Sequence, residues 1–514
     1  MNKTKHYLNE YIEALRDAEI LESCEFDIKL GSQKVETLTY DSRKVTENTL
    51  FICKGASFKE EFLLSAESAG AFCYVSDKLY GNAKIGAIVV KDIRRAIAVL
   101  ANVYFDNVWQ KLNTVGITGT KGKSTTTYFV KNIIDKYSAS KGKKPCGVLS
   151  SIRNYDGVID EESHLTTAET LELHSHFENM VDSGIETVVM EVSSQALKYD
   201  RTFGINYDVG CFLNIGIDHI SPIEHSSFED YFESKLKLFG QCKVLVVNRN
   251  SDHWNEVIAA AAASGAYTVI FGYDESCDLW AYDVRPGVDG ITFRVRSKES
   301  GFDEEFSIAL PGSFNVDNAL AAIAICRALD VPTEYIKAGL CDAKVDGRME
   351  LFRSDDGKIT FVVDYAHNKL SFETLFKSMK AQYPQSSVSI VFGCPGGKAQ
   401  GRRKELGEAA GIYADMIYLT EEDCALESVR DICEEIAGNI RPFGKPYQII
   451  EDRREAILRA ACDAAESSKI GKNALILITG KGRETRMKRG TEYIDTPSDV
   501  DYVLEALRKV EANE

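Results

Sequence analysis

The sequence has no uninterrupted apolar run of the roughly 18 residues that a membrane-spanning helix needs. Its first residues, Met1 to His6, lead into an amphipathic stretch and lack the apolar segment of a signal peptide. We therefore expect a cytoplasmic protein with no membrane span.

Cysteine pairs with the spacing of metal or redox sites are also missing. None of the 13 cysteines belongs to a Cys-x-x-Cys pair, which excludes zinc-ribbon and thioredoxin-like sites. Cys53, Cys211 and Cys326 lie inside apolar runs. These residues are predicted to be small core residues in a reducing compartment.

Positive charge is in deficit, because 61 Lys and Arg face 78 Asp and Glu, for a formal net charge of −17. Such a chain repels nucleic acid and anionic membranes at long range, so we expect no nucleic-acid partner. A local group of N–H donors and cations can still bind a phosphorylated small molecule. The hydrophobic fraction of 44% excludes a mostly disordered chain.

No internal repeat or low-complexity tract organises the chain, and predicted strands alternate with predicted helices over most of it. This pattern is typical of parallel sheets covered by helices. We predict an α/β fold of three domains, which comprise residues 1–108, 109–346 and 347–514. The central domain would be a parallel-sheet ATPase domain with a phosphate loop. The last would be Rossmann-like, and residues 278–310 would form a small antiparallel insert or sheet edge.

The strongest local signal is the glycine-containing segment 116–126, Gly-Ile-Thr-Gly-Thr-Lys-Gly-Lys-Ser-Thr-Thr, which follows a predicted strand and opens a predicted helix at 124–137. Glycines let successive backbone N–H groups point at phosphate oxygens, and the helix N-terminus adds partial positive charge. The spacing departs by one residue from the strict Walker A pattern, and a turn without ligand is the alternative. The predicted nucleotide contacts are Gly119, Thr120, Lys121, Gly122, Lys123, Ser124 and Thr125.

Acidic residues follow two of the predicted strands. Glu191 ends the strand at 187–191, and Asp218 and His219 follow the strand at 210–217. The carboxyl ends of parallel strands lie beside a phosphate loop, where an acid can hold Mg²⁺. We predict Glu191 and His219 as site residues, and the alternative is that they are solvated loop residues.

Together these segments resemble the Mur ligase family, whose members build the peptide of peptidoglycan precursors. The resemblance covers nearly the whole chain. Two further segments, 41–43 and 480–482, are similar to members that add the third amino acid to UDP-N-acetylmuramoyl-L-alanyl-D-glutamate. The segments that carry the resemblance, in the family's order, are 119–125, 190–194, 214–219, 314–321, 347–350 and 364–368.

The resemblance implies that ATP phosphorylates a carboxylate of the substrate and that the amine of a free amino acid then attacks the acyl phosphate. It implies ATP and Mg²⁺ as cofactors, a monomer, and four catalytic residues: Lys123, Glu191, His219 and Lys235. Lys235 would be carbamylated and would hold Mg²⁺ with Ser124, Glu191 and His219. The alternative for Lys235 is a surface helical lysine, as we expect for Lys237.

Further nucleotide contacts implied by the resemblance are Asn315, Asn318, Arg348 and Asp364. For the two asparagines the alternative is capping of a helix that would begin near Ala319. The implied contacts to the UDP-sugar substrate are Ser42, Thr166, Thr167, Ser193, Tyr199 and Arg201. Tyr199 stands where the family often has Gln. The implied residues of the amino-acid pocket are Arg403, Asp423, Gly480 and Glu484.

The segment 421–427 departs from the family pattern. Members that add diaminopimelate carry Arg at the position of Ala425, and Cys424 replaces a usual Pro. Glu421, Glu422, Asp423 and Glu427 give the segment acidic groups and no cation. Acidic groups favour an incoming side chain that ends in ammonium, so we predict L-lysine or another diamino acid. The basic run at 483–489 is predicted to be solvated, although one of its residues turning inward is the alternative.

Three other functions share part of this sequence pattern. A phosphate-loop kinase would need segment 116–126 but not segment 364–368. A ligase similar to folylpolyglutamate synthase would have another acceptor and would normally lack a UDP-binding first domain. A non-catalytic regulator of this fold would be expected to lose Lys123, Glu191 or His219, and the chain keeps all three.

Overall fold

The computed structural model describes residues 6–55, 58–218, 220–221, 224–287, 290–299 and 301–512. The predicted site residue His219 lies outside these residues. The chain divides into two compact units. The first comprises Met1–Trp280, Ser297–Ser300 and Leu320–Gly339, and the second Ala281–Arg296, Gly301–Ala319 and Leu340–Glu514. The domain boundaries after residues 108 and 346 stay predictions.

A five-stranded sheet begins the first unit. Its strand order is β1-β5-β4-β3-β2, and all neighbours are parallel except β1 and β5. The predicted helix 93–104 is confirmed as α3, and its apolar face is buried against the sheet. The elements are α1 (Leu8–Asp17), β1 (Leu21–Glu25), β2 (Thr37–Thr39), β3 (Thr49–Ile52), α2 (Glu60–Ser68), β4 (Ala71–Ser76), β5 (Gly86–Val90) and α3 (Ile93–Tyr104).

A second sheet of the first unit has β6 at its centre. Strands β13, β12, β11, β6, β10 and β7 lie side by side in that order and are all parallel, as predicted. The elements are β6 (Asn113–Thr118), α4 (Lys123–Ser140), β7 (Gly147–Leu149), β8 (Arg153–Tyr155), β9 (Asp160–Glu162), α5 (Thr170–Ser183), β10 (Thr187–Glu191), α6 (Ser194–Lys198), β11 (Tyr207–Phe212), α7 (Phe228–Leu236), β12 (Cys242–Asn248), α8 (Trp254–Ser264) and β13 (Tyr267–Gly272).

The next elements are β14 (Leu279–Gly287), β15 (Gly290–Ser297), β16 (Asp303–Ile308), α9 (Phe314–Ala328) and α10 (Thr333–Cys341). The pairing of β15 with β16 is antiparallel, which confirms the prediction for 278–310. No helix in the described parts of the chain is both long and apolar enough to cross a bilayer.

A six-stranded sheet forms the core of the second unit. Its order is β17-β18-β22-β19-β20-β21, and only β17 is antiparallel to its neighbour. The elements are β17 (Glu350–Arg353), β18 (Ile359–Asp364), α11 (Lys369–Gln382), β19 (Ser386–Phe392), α12 (Gly401–Tyr413), β20 (Met416–Leu419), α13 (Val429–Ile440), β21 (Tyr447–Ile449), α14 (Arg453–Lys469), β22 (Asn473–Thr479), β23 (Arg486–Arg489), β24 (Glu492–Asp495) and α15 (Asp499–Ala512).

Two predicted boundaries are wrong. The strand expected at 210–217 ends at Phe212; Leu213 N–H donates to the carbonyl of Thr118, the last residue of β6, and the Asn214 carbonyl accepts from Thr120 N–H in the turn that follows. The helix expected to begin near Ala319 begins at Phe314. Asn315 and Asn318 therefore lie inside α9 and do not cap it from outside.

A buried ion pair ties the strand ends of the second unit together. Arg453 is 2% exposed, and its Nε lies 2.6 Å from Oδ1 of Asp499. The same guanidinium donates to the carbonyl oxygens of Glu421, at 3.2 Å, and Thr479, at 2.7 Å. Asp499 also accepts from the backbone N–H of Gly482 at 2.9 Å. The segments after β20 and β22 are thus held by one side-chain pair.

Replacing Arg453 by Ala is expected to lower the free energy of unfolding of the second unit by about 3–5 kcal/mol, since it strands a buried carboxylate. The neighbouring Arg454→Ala is the matched control, because Arg454 is 39% exposed and pairs with Glu505 at the surface. That loss should be about 1 kcal/mol or less. Denaturant unfolding of both variants measures the two losses. Equal losses would contradict the role of the buried pair.

Candidate functional site

The predicted phosphate loop is a strand–turn–helix in the first unit. Strand β6 ends at Thr118 and α4 begins at Lys123, so residues 119–122 form the turn. Gly122 has φ +85°, a left-handed conformation that residues with a β-carbon rarely adopt. A β-carbon on Gly119 would lie 2.9 Å from that of Leu213. Both glycines are therefore required by the turn itself.

Asn214, two residues after the end of β11, holds this turn through hydrogen bonds. Its carbonyl oxygen accepts from the backbone N–H of Thr120 at 3.0 Å, and its side-chain oxygen accepts from Lys121 N–H at 2.9 Å. Its amide nitrogen donates to the Lys121 carbonyl at 3.1 Å. These bonds explain why β11 ends early. Asn214 has no role among the predicted site residues, although it opens segment 214–219, which carries part of the family resemblance.

Two lysine ammonium groups converge on one carbonyl of the turn. The Nζ atoms of Lys123 and Lys235 each donate to the Gly119 oxygen at 2.9 Å. Lys235 is 1% exposed, so the alternative of a surface lysine is wrong for it. Lys237 is 43% exposed and pairs with Asp200, as expected of a surface lysine. The structure thus brings Lys235 to the phosphate loop from α7.

Burial lowers the pKa of Lys235 well below its ordinary value, and the nearby charge of Lys123 lowers it further. Asp218 acts in the opposite direction. The Nζ atom also lies 4.7 Å from the centre of the Tyr231 ring. Lys235 therefore loses its proton to form the neutral amine more readily than an exposed lysine does.

Glu191 and Ser124 face a common neighbour, Ser151. The Ser151 hydroxyl donates to Oε1 of Glu191 at 3.1 Å, and its backbone N–H donates to the same oxygen at 3.0 Å. The Ser124 and Ser151 hydroxyl oxygens are 3.1 Å apart. Glu191 is 1% exposed and ends β10, next to β6, so it is not the solvated loop residue of the alternative.

Oxygen ligands for a hard cation are therefore present at the loop, in Ser124 and Glu191. Within the residues that the structure describes, no three His, Cys, Asp or Glu side chains cluster as a metal site. Ser124 is not one of these residue types, and its oxygen belongs to a hydroxyl. A hydroxyl and a carboxylate fit the preference of Mg²⁺, which keeps several water ligands and takes few from protein.

Four of the predicted substrate residues meet in the first unit. The Thr167 hydroxyl donates to the Glu191 carbonyl at 2.9 Å and accepts from Ser193 N–H at 3.0 Å. Ser193 caps α6, accepting from Ala196 N–H at 3.1 Å. The Arg201 guanidinium donates to the Thr167 carbonyl at 3.1 Å. Thr166 precedes Thr167 and is half-buried.

The other two predicted substrate residues have separate neighbours. Ser42 begins a short 3₁₀ helix whose preceding residue, Asp41, accepts from Arg43 N–H at 3.0 Å. Tyr199 directly follows α6, and the centre of its ring lies 3.6 Å from the guanidinium carbon of Arg94. Tyr199 stands where the family often has Gln, and the stacked arginine gives its ring a partner within the protein.

The predicted nucleotide residues of the second unit are each held by local bonds. Asp364 ends β18 and accepts from the backbone N–H of Met349, at 3.0 Å, and of Ala366, at 2.8 Å. The Arg348 guanidinium carbon lies 4.7 Å from the centre of the Tyr365 ring. In α9, the amide nitrogen of Asn318 donates to the side-chain oxygen of Asn315 at 2.9 Å, and both residues are buried.

Cations from other segments reach the acidic segment 421–427, which has none of its own. Lys481, 4% exposed, lies 3.1 Å from Asp423 and 2.5 Å from Glu484. Arg403 pairs with Glu427 at 2.8 Å. Arg489 lies 2.6 Å from Glu421.

Arg489 and Arg483 are 43% and 47% exposed, as predicted for a solvated basic run, and each also forms an ion pair, Arg489 with Glu421 and Arg483 with Glu350 at 2.6 Å. The backbone brings Arg489 beside segment 421–427, because the Ala425 N–H donates to the Lys488 carbonyl and Gly490 N–H donates to the Ala425 carbonyl. Short-range sequence patterns give no signal of pairings between segments more than 60 positions apart.

Glu422 is the exception in this segment, because it makes no ion pair with another described residue. Its side chain packs over Gly480, where a β-carbon would lie 2.3 Å from the carboxylate. Burial raises the pKa of Glu422 from its ordinary 4.5 to about 7, and the charge of Arg453 opposes this only in part. Gly480 leaves room for this carboxyl group because it has no β-carbon. Its φ of +105° is also a conformation that favours glycine.

Comparisons with known proteins agree with these observations. The chain matches the family models described as Mur ligase middle domain, over residues 117–326, and Mur ligase, glutamate ligase domain, over 347–482. It is 36% identical to UDP-N-acetylmuramoyl-L-alanyl-D-glutamate–L-lysine ligase from Streptococcus thermophilus, across 91% of this chain and 92% of that protein. The same-named enzyme from Enterococcus faecalis is 35% identical across 92% of each.

Among solved structures, the fold is similar to that of a UDP-N-acetylmuramoyl-L-alanyl-D-glutamate–2,6-diaminopimelate ligase. The TM-score is 0.69 at 24% sequence identity, and the match covers 98% of this chain and 99% of the other. At this identity the likeness establishes the fold.

The raised pKa of Glu422 predicts a pH dependence of stability. The folded protein binds this proton more tightly than the unfolded chain, so the contribution is full below about pH 4.5 and is lost as the pH rises through 7. The loss amounts to about 3 kcal/mol. Glu422→Gln should abolish this slope in denaturant unfolding between pH 5 and 8, whereas Glu408→Gln, on the partly exposed face of α12, should keep it. An unchanged slope in Glu422→Gln would contradict the assignment.

Proposed function

The chain belongs to the Mur ligase family, and we propose that it is an ATP-dependent ligase that adds an amino acid to UDP-N-acetylmuramoyl-L-alanyl-D-glutamate. The observation that carries the proposal is the convergence of Lys123 and Lys235 on the turn after β6, beside the buried carboxylate of Glu191. The names of relatives that are about 35% identical over nine-tenths of the chain support the same acceptor.

The turn 119–122 is proposed to bind the phosphates of ATP. Its backbone N–H groups and the N-terminus of α4 supply fixed positive dipoles, and the ammonium of Lys123 supplies a full charge. Thr120, Lys121, Ser124 and Thr125 complete the loop. In the second unit, Asn315, Asn318, Arg348 and Asp364 are proposed as further nucleotide contacts.

Mg²⁺ is proposed to bind through Ser124 and Glu191, with His219 as a third contact. When bound, the cation neutralises charge on the phosphates. Lys235 is proposed to carry a carbamate: its neutral amine attacks CO₂, a nitrogen–carbon bond forms as one carbon–oxygen π bond breaks and its electron pair moves to oxygen, and a proton leaves to solvent. The modified side chain would be an anion and would offer the cation a further oxygen ligand. Support comes from the lowered pKa of the buried amine, because only the neutral form is nucleophilic.

The proposed reaction has two steps. A carboxylate oxygen of the dipeptide attacks the γ-phosphorus, and the bond to ADP breaks. The neutral amine of the incoming amino acid then attacks the acyl carbon, the carbon–oxygen bond to phosphate breaks, and the amine proton goes to solvent. Lys123 stabilises charge that develops on the transferring phosphoryl group.

The UDP-sugar substrate is proposed to contact the group formed by Thr167, Ser193 and Arg201, with Ser42, Thr166 and Tyr199 at its edges. Arg201 already lies 2.5 Å from Glu169 and has further N–H groups for an anion. Glu169 also pairs with Lys54, whose ammonium lies 4.4 Å from the Tyr40 ring, two residues before Ser42. These contacts connect the segment of Ser42 with Arg201.

L-Lysine is proposed as the amino acid. Asp423 and Glu484 are already paired with Lys481, and Arg403 is paired with Glu427. Glu422 is left beside Gly480 as a carboxyl group that an incoming ammonium would ionise, since a nearby cation lowers the pKa of an acid. The relatives named L-lysine ligases support this choice.

Lys123→Ala should reduce turnover by about 10²–10³, the usual cost of losing one group that stabilises a transition state. The control is Lys131→Ala on the same helix, where Lys131 pairs with Asp135 at 2.5 Å. Phosphate release in the presence of UDP-dipeptide and L-lysine measures both variants. Near-normal turnover in Lys123→Ala would exclude the loop as the phosphoryl-transfer site.

Lys235→Ala should abolish ligation while the protein remains folded, because it removes the proposed anion. Lys235→Glu should recover part of the activity, since it restores a negative charge, and Lys237→Ala should stay active. Ligation assays and melting temperatures test the series, and intact mass at raised CO₂ detects the added group. An active enzyme with an unmodified Lys235 would exclude the carbamate.

The proposed amino acid is tested by comparing kcat/KM for L-lysine, L-ornithine and meso-diaminopimelate. We expect L-lysine to be preferred over diaminopimelate by at least about tenfold, or 1.4 kcal/mol. Glu422→Gln should reduce this preference. If meso-diaminopimelate were the better substrate, its second carboxylate would require a cation in the pocket. Loss of activity with diaminopimelate in Arg489→Ala would then identify that cation.

A further inference from the structure

Two short helices of the first unit connect the proposed substrate group with the phosphate loop. Helix α6 begins immediately after Ser193, which caps it. Helix α7 carries Lys235 near its C-terminal end. Side chains that join α6 to α7 therefore join the two groups of proposed ligand contacts.

His225 makes the central contact between these helices. Its Nε2 lies 3.0 Å from the hydroxyl of Ser194, the first residue of α6. Its Nδ1 lies 3.5 Å from a carboxylate oxygen of Asp230, in the first turn of α7. The ring meets the edge of Tyr231 at a centroid distance of 5.2 Å. His225 is 1% exposed, so it contacts protein and is not positioned to reach a substrate.

Lys198 fixes the other end of α6 to the same aspartate. Its Nζ lies 2.6 Å from Asp230 and donates to the Glu224 carbonyl at 3.0 Å. Ser226 N–H adds a bond to Asp230 at 2.9 Å. The hydrogen bond from Lys198 holds the pKa of Asp230 below its usual range, so the carboxylate remains charged as the common anchor.

From α7 the contacts continue to the phosphate loop. The hydroxyl oxygens of Tyr231 and Thr120 are 3.0 Å apart, and Thr120 also accepts from Gly216 N–H at 3.0 Å. Tyr231 is completely buried. One side of α7 thus touches α6 through Asp230, and its other buried side chains touch the loop through Tyr231 and Lys235.

We propose that His225 is a positioning residue that couples binding of the UDP-substrate at Ser193 to binding of ATP at the phosphate loop. The inference rests on the proposed function. A substrate that orders the N-terminus of α6 orders Ser194, then His225 and α7, and so places Tyr231 and Lys235. By linkage, each ligand then raises the affinity of the protein for the other by the same factor.

The test is titration calorimetry of a non-hydrolysable ATP analogue with and without saturating UDP-dipeptide. In the wild-type protein we expect the dipeptide to tighten analogue binding by about 5–150-fold, the usual range of coupling between sites. Ser194→Ala and His225→Ala should bring this factor close to one. His225→Gln should restore part of it, because its amide can replace Nε2 towards Ser194.

The matched control is His176→Ala, another buried histidine of the first unit, whose Nδ1 lies 2.7 Å from Asp156. It should keep the wild-type factor. An unchanged factor in Ser194→Ala would overturn the coupling role, and so would a wild-type factor of one with both ligands bound. Failure of the wild-type protein to bind either ligand would overturn the proposed function as well. Ser194→Ala removes a single hydroxyl and keeps the test decisive if His225→Ala does not fold.

Discussion

The site of the first unit depends on the Gly119 carbonyl oxygen, on which the ammonium groups of Lys123 and Lys235 converge. Burial disfavours a positive charge on Lys235, and the charge of Lys123 adds to this effect, so the pKa of Lys235 is lowered. A polyanion at the loop, or an anionic form of Lys235, relieves this effect. The bonds from Asn214 to Lys121 hold the turn that carries this carbonyl.

In the second unit the corresponding constraint is the pair formed by Arg453 and Asp499. It fixes the backbone after β20 and after β22, and these segments carry Glu422 and Gly480. The acids nearby are neutralised by Lys481, Arg403 and Arg489, whereas Glu422 is buried and keeps a raised pKa. Among the described residues of segment 421–427, Glu422 is thus the acid that forms no ion pair, and the amino-acid pocket that we propose depends on it more than on the total acidity of the segment.

The sequence predicted the α/β fold and the strand–turn–helix at 113–140 well, because both depend on short-range patterns. The apolar runs at 187–191 and 359–364 coincide with β10 and β18. The ion pair of Arg489 with Glu421 could not be predicted, because it depends on a backbone pairing with Ala425 far away in the sequence. The burial of Lys235 could not be predicted from the local sequence either. Helix α7 is amphipathic, and only its packing against the loop decides which lysine is buried.

The most direct test of phosphoryl transfer on this loop is positional isotope exchange. ATP with a heavy-oxygen label in the bridge between its β and γ phosphorus atoms is incubated with the enzyme and UDP-N-acetylmuramoyl-L-alanyl-D-glutamate, without amino acid. Reversible formation of the acyl phosphate should move the label to non-bridging positions, and Lys123→Ala should suppress the movement. Ligation with L-lysine accompanied by no exchange, even when ADP stays bound, would contradict an acyl phosphate formed at this site.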